Sequence, residues 1–339
     1  MNRSVAWQLW VIGAILPVAL ILAPPFGRYD FAALWVAGAQ AVAGQADRVY
    51  DIAATQAYAD LLDLGGATIF PYPPHALFLF APFALIPYLP SYVLWNVLTA
   101  GLFYRAVRPY WPEGLPRILS ILTPAALICV DFGQTGLLFG ALWLFAFSGR
   151  WPAVAALTFK PHLGFLSILS IKSWKALLLT AAVAALLLLL SVALFGLPLW
   201  KAFIDHSIHH AADIGTRKRW LFAGVTPAIG YGFVGWIPFA AAGALLLARR
   251  VNAFTASTAS FLISPYGFHY DMTVAALGFG LIAYLHWDRM PVSHRIPVAL
   301  GFLSPVVASA GAWWIPPLLL WALWAQTKYD PVAGKAPSN

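Results

Sequence analysis

The chain has 339 residues, of which 61% are hydrophobic and only 9% carry charge, with a formal net charge of +8. Soluble domains have about 25% charged residues, so this balance, with a mean hydropathy of +0.78, excludes a soluble catalytic domain and predicts an all-α polytopic membrane protein. The basic residues are scattered through short loops, which argues against a nucleic-acid partner and fits a positive-inside bias. The single cysteine, Cys129, excludes an internal disulfide and a cysteine metal cluster.

At about 20 residues per span there is room for about eleven to thirteen transmembrane helices in one integral domain over 1–339. The first span runs from Val5 to Ala23. It has no small-residue cleavage signal before Pro24-Pro25, so it reads as a retained helix and not a cleaved signal peptide. Arg3 keeps its start in the cytoplasm, which puts the loop 24–74 on the outer face.

Arg28-Tyr29-Asp30-Phe31 opens that loop. Asp30 stands just outside a helix end, where an ionisable group is costly to desolvate and is a functional candidate; the alternative is a plain N-cap. Phe31, Leu34, Trp35, Gly38 and Val42 share one helical face, which predicts a short helix in the interface plane anchored by Trp35. After Gly44, Asp47-Arg48-Val49-Tyr50-Asp51 leads into a second short helix over 52–64. Gln56, Asp60 and Asp63 form its polar face, and Gly65-Gly66 ends it. Phe70-Pro71-Tyr72-Pro73-Pro74-His75 is a rigid extended return to the membrane. From Ala76 to Tyr104, Pro82, Pro87 and Pro90 allow two crossings with a tight turn near Leu89-Pro90, or one crossing plus a half-helix.

Basic residues then alternate. Arg150, Lys172 with Lys175, Arg249-Arg250, Arg289 to Arg295, and Lys328 in the tail 326–339 are assigned to the cytoplasm. The segments between them face outward: Asp131 to Gln134, Lys160-Pro161-His162, the loop 196–225, Ser264 to Asp271, and the Ala312-Trp313-Trp314 turn. Asp30, Asp131, Gln134, Lys160, His162, His269 and Asp271 therefore converge on one face, as expected of polar groups that pair around a wet cavity.

The loop 196–225 carries Lys201, Asp205, His206, His209, His210, Asp213, Arg217, Lys218 and Arg219, ending at Trp220. Basic charge on the outer face suits a phosphate or anionic lipid head groups. His206, His209 and His210 share a helix face and also suit zinc, but no nearby cysteine or acidic triad completes the shell. Lys160 beside Pro161 reads as a snorkelling lysine or an anion ligand. His269, between Tyr266 and Tyr270, reads as a packing group or a site residue. Belts at the membrane interfaces account for most of the 16 tryptophans. There is no Gly-rich nucleotide loop, Walker motif or serine-hydrolase elbow, so an activated group would have to come from a lipid-linked carrier or from another lipid. A carrier or flippase for a lipid-linked or anionic solute is the alternative class, and the lack of an internal repeat weighs against it.

In order, these motifs resemble glycosyltransferase family 87, in the GT-C class that includes polyprenyl-phosphate-mannose-dependent mannosyltransferases. The matching residues are Tyr29-Asp30-Phe31 with the small-residue helix and Gly44, then Val49-Tyr50-Asp51. Phe70-Pro71-Tyr72-Pro73-Pro74 continues as Ala81-Pro82-Phe83-Ala84-Leu85-Ile86-Pro87. Gly133-Gln134, Lys160-Pro161 and Ser264-Pro265 with His269-Tyr270 complete the set, over about residues 25 to 275. His162 departs from the pattern, because an apolar residue or Pro is common there. The resemblance implies a GT-C fold, a catalytic acid in the first outer loop at Asp30, and a polyprenyl-phosphate sugar as co-substrate in place of any cofactor or metal. It leads us to expect inverting transfer of a hexose, mannose foremost, to a lipid or glycan acceptor at the outer face of a bacterial cytoplasmic membrane. Asp30 and His269 are then the catalytic pair, and Lys160, Arg217, Lys218 and Arg219 hold the donor phosphate. Tyr50, Asp51, Tyr72, Asp131, Gln134, His162 and Tyr270 take the sugar and acceptor positions.

Overall fold

The computed structural model describes residues 4–21, 28–61, 64, 70–213, 224–308 and 311–331. Among these the secondary structure is helical apart from an isolated antiparallel bridge between Gly224 and Phe268. Helix α1 (Ser4–Ile21) carries Pro17 inside it. Helix α2 (Arg28–Val42) follows. Helix α3 (Ile52–Leu61) begins beneath Asp51, whose carboxylate accepts the Ala53 and Ala54 N–H groups at 2.9 and 3.1 Å; this is an N-cap.

One expectation is corrected in α2. It has no exposed face of the kind an amphipathic surface helix presents, because Phe31 to Gln40 are buried on every face. Its Ala and Gly positions let other backbone approach; a Cβ on Gly38 would stand 2.6 Å from the Phe80 carbonyl oxygen. A helix apolar all round is a buried helix. Trp35 is not a membrane anchor either, since its indole N–H donates to the Ile86 carbonyl at 3.1 Å.

The proline-rich stretch resolves into a helical stub, with a turn at Pro74–Ala76, α4 (Leu77–Phe80) and a tight helix at Ala81–Leu85, followed by one 19-residue helix, α5 (Tyr88–Ala106). Thr123 caps α6 (Pro124–Phe132) by accepting from the Ala126 N–H, and Gly133, at φ 61°, ends it. That left-handed turn favours glycine, and α7 (Gly136–Phe147) starts just beyond it. The short helices α8 (Pro152–Ala156) and α9 (Pro161–Gly164) flank Lys160. Then come α10 (Trp174–Phe195), α11 (Leu197–Asp213), α12 (Pro227–Arg249), α13 (Ala253–Ile263), α14 (Thr273–His286), α15 (Val292–Val307) and α16 (Ile315–Gln326).

Two helices, α10 with 22 residues and α12 with 23, are long and apolar enough to cross a membrane. Only 11% of the apolar window of each is buried, so neither is the core helix of a soluble protein. Leu189, Leu194, Val234 and Leu245 are 62%, 68%, 85% and 71% exposed. Apolar area of that extent is stable when it faces lipid. Inside the bundle the pattern reverses: Thr255, Ser257, Thr258, Ser260 and Gln326 are buried. The architecture is thus that expected of a polytopic membrane protein. The eleven to thirteen full-length spans do not appear as such among the described residues. Prolines and Gly133 cut the apolar stretches into shorter helices, and the 11 residues of α13 reach only ~16 Å against a ~30 Å hydrocarbon core.

Helix α12 is kinked at Gly232, where φ is 71°, and the stretch beyond the kink to Arg249 spans ~25 Å between two ends of the bundle. At its last residues Arg250 pairs with Asp330 at 2.7 Å, and the His286 ring stands 2.6 Å from the Asp330 carbonyl. At its first residues Tyr231 donates to the Trp313 carbonyl at 2.6 Å, and Thr226 donates to the Pro265 carbonyl at 3.2 Å. The Ala312–Trp314 turn and the 264–272 loop therefore share one end, and the Arg249-Arg250 pair lies at the other.

Candidate active site

The site is built where the chain breaks its helices. Asp30 lies in the first turn of α2, where the helix dipole favours an anion. Its Oδ2 accepts from the Gln134 Nε2 at 3.0 Å across 104 residues of sequence. Burial pushes the Asp30 carboxyl up to about 6, opposed by the Gln134 hydrogen bond and the Lys160 charge. Gln134 sits in the Gly133–Thr135 turn between α6 and α7. That turn is stapled by Cys129, whose thiol donates to the Gln134 carbonyl at 3.2 Å while its sulfur accepts the Leu137 N–H at 3.3 Å.

From Gln134 the network continues. The Tyr72 hydroxyl donates to the Gln134 Oε1 at 3.2 Å and lies 2.8 Å from the Thr135 Oγ1. The Lys160 ammonium reaches the Thr135 Oγ1 at 3.4 Å and forms an ion pair with the Asp271 Oδ1 at 2.6 Å. The Asp271 Oδ2 accepts the Phe268 N–H at 3.3 Å. Burial raises the Asp271 carboxyl, and Lys160 opposes the rise. The ammonium also stands 5.6 Å from the ring centroids of both Tyr72 and Tyr270. Segments far apart in sequence are thus joined by one chain of polar contacts running from Asp30 to Asp271.

His269 is 7% exposed and packs edge-on to Phe132 at 5.4 Å. It does not hold Asp30; that hydrogen bond comes from Gln134. Its Nδ1 is buried without a hydrogen-bond partner, and burial pushes the ring down to about 4, so it is neutral at pH 7. His162 lies against Tyr266 with ring centroids 3.9 Å apart. Tyr270 packs on Phe132 and His269. The Asp131 main-chain carbonyl accepts the Tyr92 hydroxyl at 3.0 Å. Tyr50 supports the site from behind, donating to the Tyr72 carbonyl at 2.6 Å and packing on Phe203 and His206 of α11. Asp51 is exposed and spent on the cap of α3, away from this network.

Arg217, Lys218 and Arg219 lie outside the described residues, but the chain re-enters beside the site. Val225 N–H donates to the Gly267 carbonyl at 3.0 Å, next to the bridge between Gly224 and Phe268. Two histidines of α11 have partners of their own. The His206 ring packs on Tyr50, and the His209 Nδ1 stands 2.6 Å from the Asp205 carbonyl. Among the described residues no group of three or more His, Cys, Asp and Glu comes together to hold a metal.

Thr135 is a member that the sequence reading missed; its only signal is its place beside Gln134 in a polar helix break. Cys129 was read only for the disulfide and the cysteine metal cluster that it excludes. Asp271 was grouped with the converging residues but given no role, and the structure makes it the partner of Lys160. No curated protein and no solved structure matches the chain. The sequence model of glycosyltransferase family 87 matches residues 70–265, more than half of the chain. That segment holds Tyr72, Gln134, Thr135 and Lys160, and Asp30 and Asp271 flank it in sequence while closing the same network in space. On that match, the chain belongs to glycosyltransferase family 87.

Proposed function

We propose that this protein is a membrane hexosyltransferase of the GT-C class that moves a sugar, mannose foremost, from polyprenyl phosphate to a hydroxyl of a lipid or glycan acceptor. The observation that carries the reading is Asp30. It is a partly exposed carboxylate with one oxygen held by Gln134, and its other oxygen has no partner among the described residues. A carboxyl near 6 is a base at neutral pH. In the reaction the acceptor hydroxyl gives its proton to Asp30 while its oxygen attacks the anomeric carbon. The bond from that carbon to the phosphate oxygen breaks, with inversion, and polyprenyl phosphate leaves.

The leaving phosphate needs cations that are not already committed. Lys160 is neutralised by Asp271, so its contribution is the field it shares with Asp30. Arg217, Lys218 and Arg219 are the better phosphate ligands. In sequence they lie just ahead of Gly224, which bridges to Phe268. Their fixed charge supplies the electrostatic stabilisation for which a metal would otherwise serve. Neutral His269 borders the acceptor side as a hydrogen-bonding group.

The positive-inside distribution supports an outer-face site, because Arg249 and Arg250 lie at the far end of α12 from the 264–272 loop. On this reading the shorter helices combine with α10 and α12 in the multi-span GT-C arrangement within the bacterial cytoplasmic membrane. The test is transfer from radiolabelled polyprenyl-phosphate mannose, glucose and pentose to lipid and glycan acceptors, in membranes holding wild-type protein or Asp30→Asn. A labelled product lost in the variant supports the assignment. A product retained in Asp30→Asn overturns the base, and no product from any donor overturns the activity.

A further inference from the structure

Tyr72 is 2% exposed, and its hydroxyl is already engaged by Gln134 and Thr135. A hydroxyl so placed does not bind a sugar; it binds the protein. We infer that Tyr72 is a positioning residue, locking the side-chain amide of Gln134 so that its NH2 group faces Asp30. The inference rests on the reading of Asp30 as the base.

The geometry has a direction. Gln134 Oε1 accepts from the Tyr72 hydroxyl at 3.2 Å and from the Thr135 N–H at 3.3 Å. An amide oxygen held by two donors forces the nitrogen to the opposite side, where it donates to Asp30 at 3.0 Å. A flipped amide would set its oxygen against the Asp30 carboxylate and its NH2 against the Thr135 N–H, and it would turn the Tyr72 hydroxyl from donor to acceptor; the Tyr72 and Thr135 donors on the oxygen favour the orientation seen. Tyr72 is itself fixed. Pro71 and Pro73 flank it and restrict its backbone. Tyr50 binds its carbonyl at 2.6 Å, and its ring lies 5.6 to 5.9 Å from Phe70, Phe80 and Phe159. The Phe70-Pro71-Tyr72-Pro73 segment thus reaches the reacting group through one intermediary.

The groups around Asp30 set what the lock does. From the α6–α7 turn Gln134 donates to it, and Asp131 lies in the last turn of α6. From the α8–α9 junction comes the Lys160 charge, offset by Asp271 of the 264–272 loop, while Tyr72 and Tyr270 sense the Asp30 charge as neutral phenols. Of these, the Gln134 N–H is the direct hydrogen bond that favours the ionised carboxylate.

The experiment compares Tyr72→Phe, Gln134→Ala and the double variant with wild type, as pH profiles of transfer with kcat and KM resolved. Tyr72→Phe removes only the hydroxyl. It should move the acid limb to higher pH and lower kcat at pH 6 by about 3- to 10-fold, the scale of one hydrogen bond, with donor and acceptor KM within about two-fold. Gln134→Ala should shift the limb at least as far, and the double variant should match Gln134→Ala, because Tyr72 acts through Gln134. A raised KM with an unmoved limb, or additive effects in the double variant, would mean that Tyr72 touches substrate and would overturn the inference. A second readout needs no turnover: the infrared carboxyl band that Asp30→Asn abolishes should titrate at higher pH in Tyr72→Phe. An unmoved band overturns the lock. If Asp30→Asn keeps transfer activity, the base assignment fails instead, and the infrared titration still decides the lock.

Discussion

Replacing Lys160 by Met strands the Asp271 carboxylate in the protein interior. The two side chains are 4% and 0% exposed and 2.6 Å apart. At an effective dielectric of about 20 their attraction is ~6 kcal/mol. Desolvation of both ions offsets part of this, and breaking such a pair by removing one partner costs about 3–5 kcal/mol. The stranded Asp271 keeps only the Phe268 N–H, and Thr135 loses its contact with the ammonium. The assay is unfolding of purified protein in detergent micelles, comparing Lys160→Met, Asp271→Leu and the double variant. Each single change should cost about 3–5 kcal/mol, and the double should cost far less than their sum, because no charge is then left unpaired. The Lys160→Met deficit should shrink as the pH falls, since protonation neutralises Asp271. Single-variant costs below about 1 kcal/mol, or strictly additive costs, would refute a desolvated ion pair at this position.

Other outcomes follow from the same network. Asp30→Asn should lower transfer by about 10²- to 10⁴-fold while leaving the thermal unfolding profile within experimental scatter. Transfer by the wild-type protein should fall as the pH drops through about 6, because a base must be unprotonated and burial holds Asp30 near that value; a flat profile between pH 5 and 7 would count against Asp30 as the titrating group. Gly136→Ala drives a Cβ into the Tyr270 carbonyl oxygen, which is backbone and cannot step aside. It should cost about 3 kcal/mol or more of stability, at the upper end of overpacking, and folded-protein yield from a size-exclusion profile would register it.

The order of polar breaks along the chain was legible before any coordinates. Gly133-Gln134, Lys160-Pro161 and His269 to Asp271 interrupt apolar stretches, and a polar group inside such a stretch must find a partner. That argument predicted convergence, and Gln134, Lys160 and Asp271 do meet. Partner choice was not legible. His269 was paired with Asp30 in the reading of the sequence, yet it is Gln134 that touches Asp30; Lys160 looked like a phosphate ligand, yet Asp271 neutralises it. These contacts span 104 and 111 residues, and no local pattern encodes which side chain arrives first. The misreading of α2 has a similar cause. A face carrying Phe31, Leu34 and Trp35 reads as amphipathic, but small residues on the remaining faces admit neighbours, and burial on all sides follows only once α4, α6 and the Ala81–Leu85 turn have packed there.

The sequence by itself pointed to a helical chain suited to lipid, because its 61% hydrophobic and 9% charged residues fall in apolar runs approaching 20 residues without the two-residue alternation of a barrel strand. It also marked some helix ends, such as Gly133 after α6, though Pro17, Pro238, Pro297 and Pro305 lie inside helices. Only the tertiary structure decided the hydrogen-bond graph from Asp30 through Gln134, Tyr72 and Thr135 to Lys160 and Asp271. A buried donor takes the acceptor that packing brings within about 3 Å, and that distance is a property of the whole fold.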